Sequence, residues 1–221
     1  MASYAEPPPE EEPLPAFLFE RADPSDDALF YREPRLVTHI DDATIAALTA
    51  FYRERLPAGG RLLDLMSSWI SHLPADVRYA RVAGHGMNAE ELAANERLDE
   101  RRVRDLNADP TLPWADGAFD AVLIAVSVQY LVDPVAVFRE IGRVLAPGGE
   151  LLLATSRRCF PTKAVRAFQA LAPADRMGLY AECLRRTGRF ETPEFHDRSP
   201  GEGLGGRPDP LWILSARRRR A

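Results

Sequence analysis

Carboxylates, hydroxyls and imidazoles gather just after short apolar runs in this 221-residue chain. Asp64 lies in the run Arg61–Leu65 and is followed at once by Met66, Ser67, Ser68 and Trp69. A carboxylate there accepts hydrogen bonds, and two serines at a helix start offer hydroxyls and backbone donors to an anion. His72 follows in Ser71-His72-Leu73-Pro74. A second run ends in Gly84-His85-Gly86-Met87-Asn88, where two glycines let backbone approach a ligand and an amide can donate or accept. A third ends in Val103-Arg104-Asp105-Leu106-Asn107, and a fourth in Val126-Ser127-Val128-Gln129-Tyr130. Upstream stand Tyr31, Arg35 and His39: a phenol, a guanidinium that engages a carboxylate through two bonds, and an imidazole. His72, Tyr31, His39 and Tyr130 are the candidates for moving a proton. Each has a plainer alternative. Asp64 can cap the next turn, Trp69 can be core, His72 can be a hydrogen-bonded structural histidine, and the upstream trio can be packing. Met87 reads as packing on a ring face. No residues have metal-ligand spacing; Cys159 and Cys183 make neither a disulfide framework nor a zinc cluster and read as buried or half-buried thiols.

The elements that must position these groups can be read from the punctuation. Residues 1–15 hold five prolines among glutamates and read as a disordered tail. Residues 16–56 read as an irregular strap with Phe17, Phe19, Phe30 and Tyr31 to dock, then a helix capped by Asp42 or Thr44 and running to about Arg55. The main domain is expected over 57–217, with a basic, solvated tail at 218–221. Strands are expected at Arg61–Leu65, Val77–Gly84, Arg102–Arg104, Phe119–Val126, Glu150–Ser156, Phe190–His196 and Leu211–Ala216. Helices are expected near Ile70, at Ala89–Asn95, at Pro134–Leu145 with proline at its first position, and at Lys163–Leu171 and Ala174–Arg186. Strands alternating with helices imply an α/β, doubly wound parallel sheet, and the last two strands, with no helix between them, allow an antiparallel edge. Ligands of such sheets bind at the strands' carboxyl ends, where strand order reverses, so the first strand's end is the first place to look.

Net charge is −5, which does not favour a nucleic-acid partner. The longest apolar run, Ala121–Val128, is too short to span a bilayer, and no signal peptide is read at the N-terminus, so a cytoplasmic protein is expected. Among the 28 basic residues only Lys163 is a lysine, which reads as a mark of an arginine-rich proteome.

Two longer stretches, L-P-W-A-D-G-A-F-D-A-V at Leu112–Val122 and R-E-I-G-R-V-L-A-P-G-G-E-L at Arg139–Leu151, stand in this order after the Asp64 and Asp105 segments. In this the chain resembles the small-molecule branch of the class I S-adenosylmethionine-dependent methyltransferases over about Arg61–Ser156, and more loosely over Phe190–Arg217. The resemblance implies a seven-stranded Rossmann-like sheet with its last strand antiparallel, S-adenosylmethionine as cofactor, and a small-molecule acceptor. It implies that Asp105 and the Leu106 amide hold the adenine with Met87 on the ring, and that Met66, Asn107, Val126 and Ser127 lie on the cofactor side. Two signatures depart from the family. Its glycine-rich first turn is replaced by Met66-Ser67-Ser68-Trp69-Ile70, and the acid that meets the ribose hydroxyls is replaced by Gly86. The expected compensations are Ser67 and Ser68 for the lost turn, close backbone approach at Gly84 and Gly86, Asn88 at a ribose hydroxyl, and Arg35 at the methionine carboxylate. A non-catalytic scaffold that keeps the fold and binds a partner is the alternative, and it requires a pocket filled by the protein's own side chains. A nicotinamide dinucleotide site is disfavoured, because its glycine fingerprint is missing.

Overall fold

The computed structural model describes residues 12–202 and 206–220. Seven strands form one sheet: β1 (Arg61–Leu65), β2 (Arg81–Gly86), β3 (Glu100–Val103), β4 (Phe119–Ala125), β5 (Leu145–Thr155), β6 (Glu194–Asp197) and β7 (Trp212–Arg217). Their spatial order is β3-β2-β1-β4-β5-β7-β6. The first five run parallel, and β7 is antiparallel to both β5 and β6. Strand order therefore reverses between β1 and β4, as the alternating pattern requires.

The helices are α1 (Asp27–Phe30), α2 (Asp42–Arg55), α3 (Ala89–Ala94), α4 (Pro134–Val144), α5 (Arg166–Ala170) and α6 (Pro173–Arg186). Period-two burial sorts the central strands onto two cores. Leu62, Val82, Leu123, Leu152 and Ile213 join Leu48, Phe51 and Tyr52 of α2. Leu63, Leu65, Val122, Ile124 and Leu153 join Val137, Phe138 and Ile141 of α4 and Tyr180 and Leu184 of α6. The sheet is thus covered on both faces, as its near-continuous apolar runs demand.

Several boundaries differ from the sequence expectation. The cap of α2 is Asp41, whose carboxylate accepts from the Thr44 amide at 2.9 Å, one residue before the expected position. The helix expected near Ile70 is absent. Its groups are taken by distant partners instead: Asn95 Nδ2 donates to the Ser68 carbonyl and Thr49 Oγ1 to the His72 carbonyl, each at 2.9 Å. Met66 and His72 sit in the left-handed region, at φ 58° and 53°, which breaks any helical run. β2 begins at Arg81, because Val77 and Ala80 instead bond the carbonyls of Pro74 and Gly60. β3 begins two residues earlier than expected, and β5 runs through Pro147-Gly148-Gly149 with a register shift against β4. β6 is confined to Glu194–Asp197. Of the expected tail, residues 1–11 lie outside the described residues; Leu14 packs against the core. At the other end Arg218 donates to the Leu145 carbonyl, and Arg219 Nε to Phe190 O at 2.7 Å, so these two side chains are bound to the domain rather than solvated. Residue 221 is outside the described set. No described helix is long and apolar enough to cross a membrane.

Candidate functional site

A cavity of about 330 Å³ opens at the carboxyl ends of β1 to β4 under the N-terminal strap. Met66, Ser67, Ser68, Trp69 and His72 reach it from the chain after β1, and Gly86 and Met87 from the end of β2. Asp105, Leu106 and Asn107 come from the loop after β3; Val126, Ser127 and Tyr130 follow β4. Tyr31, Arg35 and His39 close it from the strap. The structure thus gathers nearly every residue singled out by sequence. Asp64, Gly84 and Asn88 do not line the cavity.

Strain concentrates here. Met66, His72 and Val126 are non-glycine residues at positive φ, Val126 at 43° although it is β-branched. Such backbone persists only where surrounding structure enforces it, and it clusters at ligand sites. Met66 directly follows β1 and Val126 directly follows β4, the two strands flanking the reversal of strand order.

Asp64 sits behind the first loop, 3% exposed, and accepts a 2.6 Å bond from Ser67 Oγ. No cation pairs with it among the described residues. Burial pushes its carboxyl up to about 6 against the opposing hydroxyls of Ser67 and Ser71. A carboxyl raised on folding contributes stability that is present below its unfolded value and lost as pH rises through 6; here the loss is about 3 kcal/mol. Asp64→Asn removes that dependence. The stability of the variant relative to the parent should therefore rise by about 2–3 kcal/mol between pH 4.5 and pH 8 in urea titrations. A difference that stays constant over that range would contradict a buried, unpaired carboxylate.

The glycines of β2 are required by the protein's own packing. A Cβ at Gly84 would lie 2.3 Å from Leu98 Cδ1, and one at Gly86 would lie 2.4 Å from the Ser67 carbonyl oxygen. Asn88 is spent as well. Its Oδ1 accepts from the Glu90 and Glu91 amides, capping α3, and its Nδ2 donates to the carbonyls of Tyr31 and Arg32, both at 3.0 Å. It ties the strap to the domain and has no bond left for a ribose. Asn107 is similarly engaged, donating at 2.9 Å to Asp27 Oδ2 and to Tyr130 O and accepting from the Val132 amide.

The first loop is held from two sides. Ser67 donates to Asp64, and Ser68 Oγ donates at 2.7 Å to Glu91 Oε2, so neither serine hydroxyl proton is free for an anion. Trp69 Nε1 donates to Val37 O at 3.0 Å, joining loop and strap. Arg35 lies 4.5 Å over the Phe30 ring and 5.3 Å from that of Phe160, with Nη2 donating to Phe30 O at 2.9 Å. Tyr130 stacks on Phe160 and accepts from its amide at 2.9 Å. Asp105 Oδ1 accepts from the Asn107 amide at 2.8 Å, leaving Oδ2 unbonded among the described residues.

Burial separates the four proton-transfer candidates. It pushes the Tyr130 phenol up to about 12 and Tyr31 further still, so both keep their protons at neutral pH. It holds His39 below the usual imidazole range and takes His72 down to about 4, helped by its neighbour His39. The imidazoles are therefore the proton-accepting forms, and the buried His72 Nδ1 has no hydrogen-bond partner among the described residues.

Sequence reasoning passed over His85, Glu91, Asp27 and Phe160, which also line the cavity. Only His85, set between two glycines at a strand end, carried a local signal. The others meet the site through partners distant in the chain.

Residues 66–153 match the family model described as a methyltransferase domain. Among curated proteins, the chain is 31% identical over 112 residues to the methyltransferase GfsG of Streptomyces halstedii, covering 47% of this chain and 40% of that one. It is 44% identical over 78 residues to the demethylmenaquinone methyltransferase of Thermus thermophilus, covering 34% and 36%. The chain thus spans about two-fifths of the length of these relatives. Among solved structures, an S-adenosylmethionine-dependent methyltransferase from Mesorhizobium loti aligns with a TM-score of 0.55 at 19% identity, over 78% of this chain and 98% of that one. The [4+2]-cyclase SpnF aligns with a TM-score of 0.60 at 21% identity, over 86% and 90%. Sheet order, antiparallel last strand and family match agree: the chain has the class I S-adenosylmethionine-dependent methyltransferase fold. The cyclase shows that the fold alone does not fix the reaction, so the activity must be argued from the site.

Proposed function

We propose that this chain binds S-adenosylmethionine in the cavity and transfers its methyl group to a small molecule. The observation that carries the reading is an open cavity of about 330 Å³ at the strand-order reversal, to which Asp105, Arg35, Trp69 and Tyr130 all contribute. A scaffold whose pocket is filled by its own side chains does not match this cavity.

The residues present suit the cofactor in an altered arrangement. Asp105 Oδ2 and the Leu106 amide would hold the adenine, with Met87 against the ring. Arg35 would meet the methionine carboxylate, a role the serine hydroxyls cannot fill because their protons are already donated. When bound, S-adenosylmethionine supplies an activated methyl group on a sulfonium. Trp69, Tyr130 and Phe160 would wall that centre, where aromatic faces favour a cation. The strap would hold the acceptor in line and exclude water, from which most of the acceleration of such a displacement can come. Where the acceptor must lose a proton, His72 or His39 would take it. A small acceptor suits a site covered, among the described residues, by the strap and the short segment around Phe160. The two free thiols support a reducing, cytoplasmic compartment, and the net charge of −5 supports a partner other than nucleic acid.

Calorimetric titration with S-adenosylhomocysteine and adenosine tests this. The parent should bind both. Arg35→Ala should weaken S-adenosylhomocysteine by about 2 kcal/mol, the range of a hydrogen bond to a charged group, and leave adenosine within a few tenths. A parent that binds neither contradicts the reading; equal losses for both ligands would make Arg35 a structural part of the strap.

A further inference from the structure

We propose that Arg158 recognises an oxyanion carried by the methyl acceptor, so that the acceptor is an acidic small molecule bearing a carboxylate or a phosphate. The inference deepens the reading of the cavity as a methyl-transfer site and rests on it. The strand ends that border the cavity lie in the row β3-β2-β1-β4-β5. Asp105 and Leu106, read as the adenine contacts, follow β3 at one end of that row, and Arg158 follows β5 at the other. The acceptor must approach from the side that the nucleoside leaves open, and Arg158, Phe160 and Tyr130 line that side.

Arg158 is anchored without being used up. Its Nε donates at 2.9 Å to both carboxylate oxygens of Asp209, and Arg157 Nε donates at 3.0 Å to one of them. Asp209 is fully buried, while the Arg157 and Arg158 side chains are 54% and 57% exposed. The carboxylate is itself held in place: the Asp209 amide donates to Asp41, and its carbonyl accepts from Thr44 Oγ1 at 2.7 Å. The Arg158 carbonyl accepts from Gln129, a buried residue shortly after β4. Both guanidiniums are thus tied through Nε, and among the described residues no Nη group of either makes a hydrogen bond. Arg53, on the far side of the domain's surface chemistry, does the reverse: it turns both Nη groups onto the Asp76 carboxylate, at 2.7 and 2.6 Å.

One buried carboxylate facing two guanidiniums leaves a surplus positive charge at the cavity rim. The paired Nη groups of an arginine form a fork that matches two oxygens of a carboxylate or phosphate, and fixing Nε in advance removes much of the freedom that such a contact otherwise costs. Asp41 is the other carboxylate at this cluster, and its oxygens are spent on the amides of Thr44 and Asp209 at the cap of α2. The place adjoins the groups read as reacting. His39 precedes Asp41 by two residues and meets the Phe160 ring edge-on at 5.5 Å, and Phe160 follows Arg158 by two. A neutral acceptor would make no use of the fork. Arg35, which lies over Phe30 in the strap, is assigned to the cofactor's carboxylate and leaves the acceptor's charge to Arg158.

The test uses the full chain saturated with S-adenosylhomocysteine. Benzoate, phenyl phosphate and neutral benzyl alcohol serve as probes, titrated by ligand-observed magnetic resonance; the two anions distinguish a carboxylate from a phosphate. At least one anion should bind about tenfold tighter than benzyl alcohol, and the advantage should shrink at high salt. Arg158→Gln should remove most of that advantage while leaving benzyl alcohol and S-adenosylhomocysteine unchanged. Arg157→Gln breaks the same kind of tie to Asp209 from a residue that does not line the cavity, and it should lose less. No preference for either anion in the parent, or equal losses in the two variants, would overturn the inference and make the pair a structural tie. Should Arg158→Gln fail to fold, nitrogen-15 spectra of the parent decide instead. The preferred anion must shift the Arg158 guanidinium resonances and benzyl alcohol must not; resonances that stay in place overturn the assignment. A parent that binds S-adenosylhomocysteine but prefers no anion removes this inference alone. A parent that does not bind S-adenosylhomocysteine removes the cofactor reading, and the inference that rests on it falls with it.

Discussion

Lys163→Met should lower the stability of the protein by about 3–5 kcal/mol, the cost of breaking a buried ion pair by removing one partner. The lysine is fully buried and joins the strap to the chain after β5. Its Nζ donates to the Ser25 carbonyl at 2.8 Å and stands 3.1 Å from the carboxylates of Asp23 and Asp27. Asp27 is itself 4% exposed and carries further bonds from Arg21 and Asn107. Burial acts to raise the Asp27 carboxyl, but the bonds from Arg21, Asn107 and Lys163 outweigh it and hold the group below its usual range. Stability from this carboxylate is therefore present at neutral pH and is lost as pH falls through its folded value. Methionine fills the volume but leaves Asp27 one cation short in a buried site that also borders the cavity. Urea unfolding at pH 7.5 measures the loss, and a change below 1 kcal/mol would show that the cluster does not hold the strap.

Gly86→Asp should abolish ligand binding and cost roughly 3 kcal/mol of stability, the upper range of overpacking. The family resemblance alone leads to the opposite expectation, that an acid at this position restores a ribose contact. The Cβ of any residue there falls 2.4 Å from backbone oxygen, not from a flexible side-chain tip, so the first loop must move. That loop carries Met66, Ser67, Ser68 and Trp69, and its displacement dismantles one wall of the cavity. The carboxylate would also face a carbonyl oxygen, with no donor gained. Denaturation and S-adenosylhomocysteine titration of the variant read both effects. Unchanged stability with tighter binding would mean that the loop yields freely.

The sheet was legible because its central strands are short apolar runs buried on both faces, and because their ends are punctuated. β1 falls at Arg61–Leu65 as read, and α4 begins at Pro134 as its helical period and proline imply. The gathering of Met66, Asp105, Ser127 and Tyr130 around one cavity followed from their places at strand ends. What was not legible depends on partners far away in sequence. Ser68 is fixed by Glu91, 23 residues on, so the segment after β1 forgoes a helix that its composition allowed. Asn88 looks like a ligand contact until its amide is found on Tyr31 O, 57 residues back. Lys163 looked like an accident of composition; its partner Ser25 lies 138 residues away. Glycines between strand and loop suggested room for a ligand, whereas the space at Gly84 and Gly86 is filled by Leu98 and by Ser67.

The most direct measurement is a crystal structure of the full chain with S-adenosylhomocysteine. Density should fill the cavity at the carboxyl ends of β1, β2 and β4, with the adenine at Asp105 and Leu106 and the methionine carboxylate at Arg35. Density elsewhere on the surface, or a cavity closed by the protein's own side chains in crystals grown with saturating ligand, would contradict the account.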